Sequence, residues 1–250
     1  MHILGGFLVL VQGQIGAELS GQNFILDTGT SPSILNARVA RQLGLSLAPA
    51  KLTAIGRDAE IAVATLPQLQ LGALRAEATT FLVTDLSDLE HAWHVPVAGI
   101  LGLDILGKRS FRLDYGRALL EFGEVRNEGI PIGLSQGLNL PIAEVHINGK
   151  AFHLLVDTGS DHLVFFAKPG GSILPPSPGA PLQGNSVAGE VLVRQARPLE
   201  FEWSGTRFQQ QALFVPGREE PLFDGLMSVR SMGFRSIALD AHSRVIYLQK

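Results

Sequence analysis

The sequence predicts an all-β protein built as two similar lobes around a cleft, and three observations carry that prediction. Apolar and polar residues alternate over short runs, Gly, Asn and Asp interrupt those runs, and the second half of the chain repeats landmarks of the first.

The alternation is plain in Phe7-Leu-Val-Leu-Val11, Phe24-Ile-Leu26, Ile142-Ala-Glu-Val-His-Ile147 and Arg244-Val-Ile-Tyr-Leu248. Ile3 to Val11 is apolar apart from its glycines; it is too short to span a bilayer, lacks a basic leader region, and reads as a strand. Long amphipathic helical runs are few, and the best short helices are Asn36 to Leu43 and Leu103 to Lys108.

The repeat has two registers. Asp27-Thr28-Gly29 recurs as Asp157-Thr158-Gly159, 130 residues on, each after an apolar strand and each downstream of a hairpin-like glycine, Gly21 or Gly149. Gly99, Gly107, Arg109, Leu113 and Asp114 recur 126 residues on as Gly225, Gly233, Arg235, Leu239 and Asp240. The difference of four residues is the kind that loops absorb. The halves meet in the turn-rich stretch 127–137, so lobe one is expected at 1–126, an interlobe linker at 127–137 and lobe two at 138–250. Ser172 to Pro181 is Pro-rich and reads as an irregular loop.

Composition narrows the function. The 250 residues are 46% hydrophobic and 17% charged with net charge −3, so nothing in the charge balance invites nucleic acid or an anionic membrane. With no cysteine, disulfide, thiol and thiolate-metal chemistry are excluded, while the compartment stays open between cytoplasm and periplasm. No cofactor fingerprint is present, and no metal site is expected: His91 and His94 are a lone spaced pair that reads as surface or loop histidines.

The chemistry lies in the duplicated triplet. A strand ending in Asp, with Gly two residues on to permit a tight turn, holds a carboxylate at a rigid tip. Two such tips facing each other cannot both ionise cheaply, so they share a proton. The ionised partner can activate water and the protonated one can donate to a substrate carbonyl. No covalent intermediate is needed.

Phe-Ile-Leu-Asp27-Thr28-Gly29-Thr30-Ser31 and Leu-Leu-Val-Asp157-Thr158-Gly159-Ser160-Asp161 resemble the active-site loops of aspartic proteases, and Gly99-Ile100-Leu101-Gly102 resembles that fold's apolar-apolar-Gly motif. The lobe size is similar to retropepsin-like domains, here two in one chain. The resemblance implies two pseudo-twofold-related retropepsin-like β-barrel lobes acting as an intramolecular pseudo-dimer on peptide or protein substrates. It implies Asp27 and Asp157 as the catalytic dyad, Thr28 and Thr158 as hydrogen bonds across the interface, and Gly29 and Gly159 as close backbone. It further implies Asp161 as a holder of substrate backbone. Flap hairpins are expected at Ile55 to Asp58, with Gly56 as a substrate-binding residue, and at Asn185 to Gly189. One departure stands out: the motif in lobe two reads Leu226-Met227-Ser228, placing a side chain where backbone should pack closely.

Bland readings compete. Asp27 and Asp157 could be turn aspartates, or the fold could be a catalytically silent peptide-binding module. Asp114 and Asp240 read as turn residues. Gly133-Leu-Ser135-Gln-Gly137 fits a nucleophile pattern but sits in the linker without a following helix. His153, four residues before Asp157, and His162 read as packing or solvent histidines.

Overall fold

The computed structural model describes residues 1–54, 57–167, 182–186, 189–195, 198–216 and 222–250. The chain is mostly β and forms the two-lobed retropepsin-like fold, with few short helices.

The first sheet comprises β1 (His2–Leu4), β2 (Leu8–Ile15), β3 (Leu19–Leu26), β4 (Ile34–Asn36), β5 (Ala48–Ala54), β6 (Arg57–Leu71), β7 (Leu74–Thr84) and β8 (Gly99–Leu101) in the order β1-β2-β3-β8-β4-β7-β6-β5. β2 also pairs with β6, Gln14 opposite Gln70 and Ile15 opposite Leu69, which closes a six-stranded barrel. Three helices decorate it: α1 (Ala37–Gln42), α2 (Ser87–Trp93) and α3 (Leu103–Leu106). The Asn36 side chain accepts the Arg38 N–H at 3.0 Å and so starts α1.

Two details differ from the sequence reading. Ile3 to Val11 is not one strand: Gly5 and Gly6, at φ +56° and +80°, turn the chain between β1 and β2. Gly21 is not a hairpin turn either. It sits inside β3 at φ +64°, where Ser20 and Gly21 together oppose Gln14, so it makes a β-bulge. Its counterpart Gly149 does form a turn, with Asn148, both at positive φ between two paired strands.

β9 (Phe111–Asp114), β10 (Leu119–Phe122) and β11 (Ile130–Gly133) follow. The second large sheet holds β12 (Ile142–Ile147), β13 (Lys150–Asp157), β14 (Leu163–Ala167), β15 (Leu182–Ser186), β16 (Gly189–Gln195), β17 (Leu199–Trp203), β18 (Thr206–Gln210), β19 (Ala212–Pro216) and β20 (Gly225–Ser228). It curls into a half-barrel in the order β15-β16-β19-β14-β20-β13-β12-β17-β18. The long β6 of lobe one spans 57–71; 132 residues on, 189–203 is occupied by β16 and β17, split ahead of Pro198.

A third sheet joins the halves: β10-β9-β21-β22-β11, with β21 (Ser236–Asp240) and β22 (Val245–Gln249). In its centre Phe111 faces Leu239 and Leu113 faces Ile237. Shifting each residue of one pair by 126 yields the other pair, the signature of a local twofold axis through the sheet. Asp114 and Asp240 end β9 and β21 and cap the turns that follow, accepting the N–H of Arg117 and of His242 at 3.0 Å each. One apolar cluster runs from Val9 and Phe24 through Phe111, Leu113, Ile237 and Leu239 to Val145 and Phe165, so the barrel, the half-barrel and the joining sheet share a core.

Candidate active site

β3 and β13 carry the two Asp-Thr-Gly loops. In β3, Phe24 and Leu26 face the shared core while Ile25 faces a second apolar cluster on the other side. In β13, Leu154 and Val156 face the core while Leu155 takes the opposite face. With period-2 alternation, Asp27 and Asp157 emerge on the faces of Ile25 and Leu155, at strand tips clear of the core. β8 runs parallel beside β3, with Leu26 opposite Leu101, and the Asp27 N–H donates to Leu101 O at 3.0 Å. β20 runs parallel beside β13 in the same way, with Asp157 opposite Ser228.

The threonines tie the loops together. The Thr28 hydroxyl donates to Val156 O at 2.9 Å and accepts the Thr158 N–H at 3.2 Å. The Thr158 hydroxyl donates to Leu26 O at 3.1 Å and accepts the Thr28 N–H at 3.0 Å. Both side chains are buried, so these four reciprocal bonds lie out of competition with water.

The glycines let the loops approach. A Cβ on Gly29 would stand 2.8 Å from Asp157 Cγ, and one on Gly159 would stand 2.8 Å from Asp27 Cγ. Each glycine therefore backs onto the opposite carboxylate, and any side chain there would push the carboxylates apart.

The carboxylates are not equivalent. Asp27 is half-buried; its Oδ1 accepts the Gly29 N–H and its Oδ2 accepts the Thr30 hydroxyl, each at 2.7 Å. Asp157 is buried, and its Oδ1 accepts the Gly159 N–H at 2.6 Å. Ser160, which matches Thr30, turns its hydroxyl to His162 O instead. Burial, then the charge of Asp27, then the hydrogen bond between the two side chains hold Asp157 well above the usual carboxylate range.

Behind the loops the halves diverge. A Cβ on Gly102 would lie 2.0 Å from Thr30 O, to which Leu103 N–H donates at 3.1 Å. In lobe two the corresponding N–H, of Val229, donates to Asp157 O at 3.3 Å. Ser228 fits there fully buried, and its hydroxyl accepts the Ser231 N–H at 3.2 Å. The side chain at this position is thus accommodated by a different loop path.

The other candidates sort as follows. Asp161 is exposed and contacts His162 Nδ1. Gly56 and Ile55 lie outside the described residues, as do Val187 and Ala188 of the second flap candidate, but the flanking strands pair as hairpins, Ala54 opposite Arg57 and Ser186 opposite Gly189. Ser135 sits in a turn, accepting the Leu140 N–H on its hydroxyl at 3.2 Å and donating its own N–H to Leu140 O. His91 lies on α2 and His94 is its C-cap.

Sequence reasoning passed over Thr30, for which the hydroxyl residue after both Asp-Thr-Gly triplets was a usable signal. It also passed over Tyr115 and Arg230. Tyr115 is buried at the end of β9, and its hydroxyl finds no hydrogen-bond partner among the described residues. The Arg230 guanidinium lies 4.9 Å from its ring centroid and donates to Gly6 O of lobe one and Phe234 O.

Residues 11–105 match the family model described as aspartyl protease. This part of the chain is similar to the aspartyl protease family. The matched stretch runs from β2 through most of α3 and includes Asp27-Thr28-Gly29 and Gly102. No curated protein matches the chain. The match supports aspartic protease activity in general and, with it, peptide substrates.

Proposed function

We propose that the chain is an aspartic endopeptidase in which Asp27 and Asp157, one from each of two duplicated lobes at about 1–126 and 138–250, share a proton and activate water. The observation that carries this reading is the mutual packing of the loops, each glycine against the other loop's carboxylate, under four reciprocal threonine hydrogen bonds.

In this reading Asp157, with its raised affinity for a proton, starts protonated, and Asp27, which accepts the Thr30 hydroxyl and the Gly29 N–H, serves as the base. Asp27 takes a proton from water as the water oxygen bonds to the scissile carbonyl carbon, and Asp157 donates its proton to the carbonyl oxygen. The tetrahedral diol then collapses: Asp27 protonates the departing amine, the C–N bond breaks, and Asp157 regains a proton from a diol hydroxyl. The titrations belong to the pair. Asp161 and the two hairpins around 55–56 and 187–188 would hold the substrate backbone, which enters as an added strand. The active unit is a monomer that acts as its own pseudo-dimer.

The test is cleavage of a diverse peptide library by the chain from acidic to neutral pH, beside Asp27→Asn, Asp157→Asn and a statine-type inhibitor. The reading expects inhibitor-sensitive cleavage that falls by at least about a thousandfold in either variant. Cleavage persisting in both variants would sink the dyad. Peptide binding that survives both substitutions, with no product at any pH, would instead favour the silent binding module.

A further inference from the structure

Asp104 and Arg230 are equivalent by the 126-residue offset of the repeat, and Ser33 and Leu163 by its 130-residue offset. In lobe one these two positions brace the Asp-Thr-Gly loop from within. Asp104 Oδ2 accepts the Ser33 N–H at 3.0 Å, its Oδ1 accepts the Ser33 hydroxyl at 2.6 Å, and that hydroxyl oxygen accepts the Gly102 N–H at 2.8 Å. Lobe two cannot make this tie, because Leu163 is a buried apolar side chain and residue 230 is a cation.

Arg230 reaches to lobe one instead. Its Nε donates to Gly6 O at 3.1 Å, in the turn that leads into β2, while its Nη1 donates to Phe234 O of lobe two at 2.7 Å. The same guanidinium lies over the Tyr115 ring of lobe one. Both ends of this contact lead to an aspartate. β2 pairs with β3, Val9 opposite Leu26, the residue before Asp27. On the other side Val229, next to Arg230, donates its N–H to Asp157 O at 3.3 Å. The charges of Arg230, Asp157 and Asp27 all act on the Tyr115 phenol, so the contact lies beside the carboxylate pair. Arg230 is half-buried, and among the described residues no carboxylate pairs with it.

The geometry points to Arg230 as a positioning residue that holds Asp157 in register with Asp27, a role that rests on the shared dyad proposed above. A guanidinium is one rigid plane, so Nε and Nη1 cannot move separately, and bonding one lobe through each fixes the spacing between Gly6 and Phe234. Arg230 touches neither water nor substrate; it acts through the place of Asp157. The leverage is large, because a misplacement of about 1 Å between reacting groups can cost about a hundredfold in rate.

The experiment compares Arg230→Gln and Arg230→Lys with the parent in the full chain, with Asp27→Asn as the inactive reference. Arg126→Gln, whose side chain is 84% exposed, controls for the loss of one positive charge. Well below Tm, the expected result for Arg230→Gln is kcat lowered at least about tenfold per folded molecule with KM within about twofold, and affinity for the statine-type inhibitor lowered at least about tenfold. Arg126→Gln should match the parent. Arg230→Lys keeps the charge but cannot bond both lobes through one plane, so its kcat should also fall, by at least about threefold, and it carries the test if Arg230→Gln does not fold. Full activity in Arg230→Lys would overturn the proposal. So would a lowered Tm with kcat and inhibitor affinity unchanged in Arg230→Gln, which would make the contact a structural grip and leave the dyad standing. A parent that neither cleaves peptides nor binds the inhibitor would sink the dyad, and this role with it.

Discussion

Thr30 donates its hydroxyl to Asp27 while Ser160 turns its own to His162 O, so one repeated motif gives two carboxylates different surroundings. The consequence for stability follows from linkage. Asp157 has its folded-state pKa above the unfolded value, so the folded chain holds an extra proton between the two. That contribution is complete below the ordinary carboxylate range and is lost as pH rises through the raised value. Asp157→Asn removes the loss, so its Tm should exceed that of the parent at neutral pH and converge with it in acid. A lower Tm at neutral pH would mean that the carboxylate is held ionised. Tyr115 makes a second case. Burial pushes its phenol far up, against the opposing charge of Arg230, and the hydroxyl is unpaired among the described residues. Tyr115→Phe deletes a polar atom that costs free energy, so thermal unfolding should show no loss and a gain of up to about 1 kcal/mol. Nothing in the sequence marked this residue, because the Arg230 guanidinium that covers its ring lies far along the chain.

At the scale of elements, the close antiparallel pairing of β8 with β4 and of β20 with β14 explains one pair of repeated glycines. A Cβ on Gly99 would stand 2.4 Å from Ile34 O, and one on Gly225 would stand 1.9 Å from Val164 O. Backbone cannot yield as a flexible side chain would. Gly225→Ala should therefore destabilise by at least about 2 kcal/mol, read as a lowered urea midpoint with unchanged m-value. Gly107 and Gly233 repeat at the same offset for unlike reasons: Gly107 approaches Leu103 O closely, whereas Gly233 turns the chain at φ +80° with open space around it. The strands were legible because period-2 patterns report directly on a half-buried ladder. α1 was legible from its Asn cap and α3 from its apolar run, whereas α2 was missed. Its seven residues include Leu89 and Trp93 on one face, too few to show a helical period, and that face is defined by packing against Leu86 and the β1–β2 turn. Ser228 reads as a departure until the loop path behind Asp157 is known.

At the scale of the whole molecule, the local twofold in the joining sheet and the reciprocal threonine bonds coincide with a continuous core. Two halves joined in one chain through one core should melt as a unit. Tm is expected to be independent of protein concentration over about a hundredfold range, in a single transition. Thr28→Val strips the partners from Thr158 N–H and Val156 O, both buried, and should lower stability by about 2–4 kcal/mol within that same single transition. A concentration-dependent Tm would show that a second chain contributes to the fold.

The sequence by itself determined the all-β class, the repeat, the strand-end position of both aspartates and the glycines that let their loops close, since each depends on a few adjacent residues and on alternation along a strand. Only the tertiary structure decided which carboxylate is buried, where the hydroxyls beside them point, how Ser228 is housed, and that Glu144, His146, His153 and Asp224 meet on one face. Burial and electrostatic environment are set by neighbours tens of residues away in the chain, as with His153 and Asp224, 71 apart, and no local pattern encodes them.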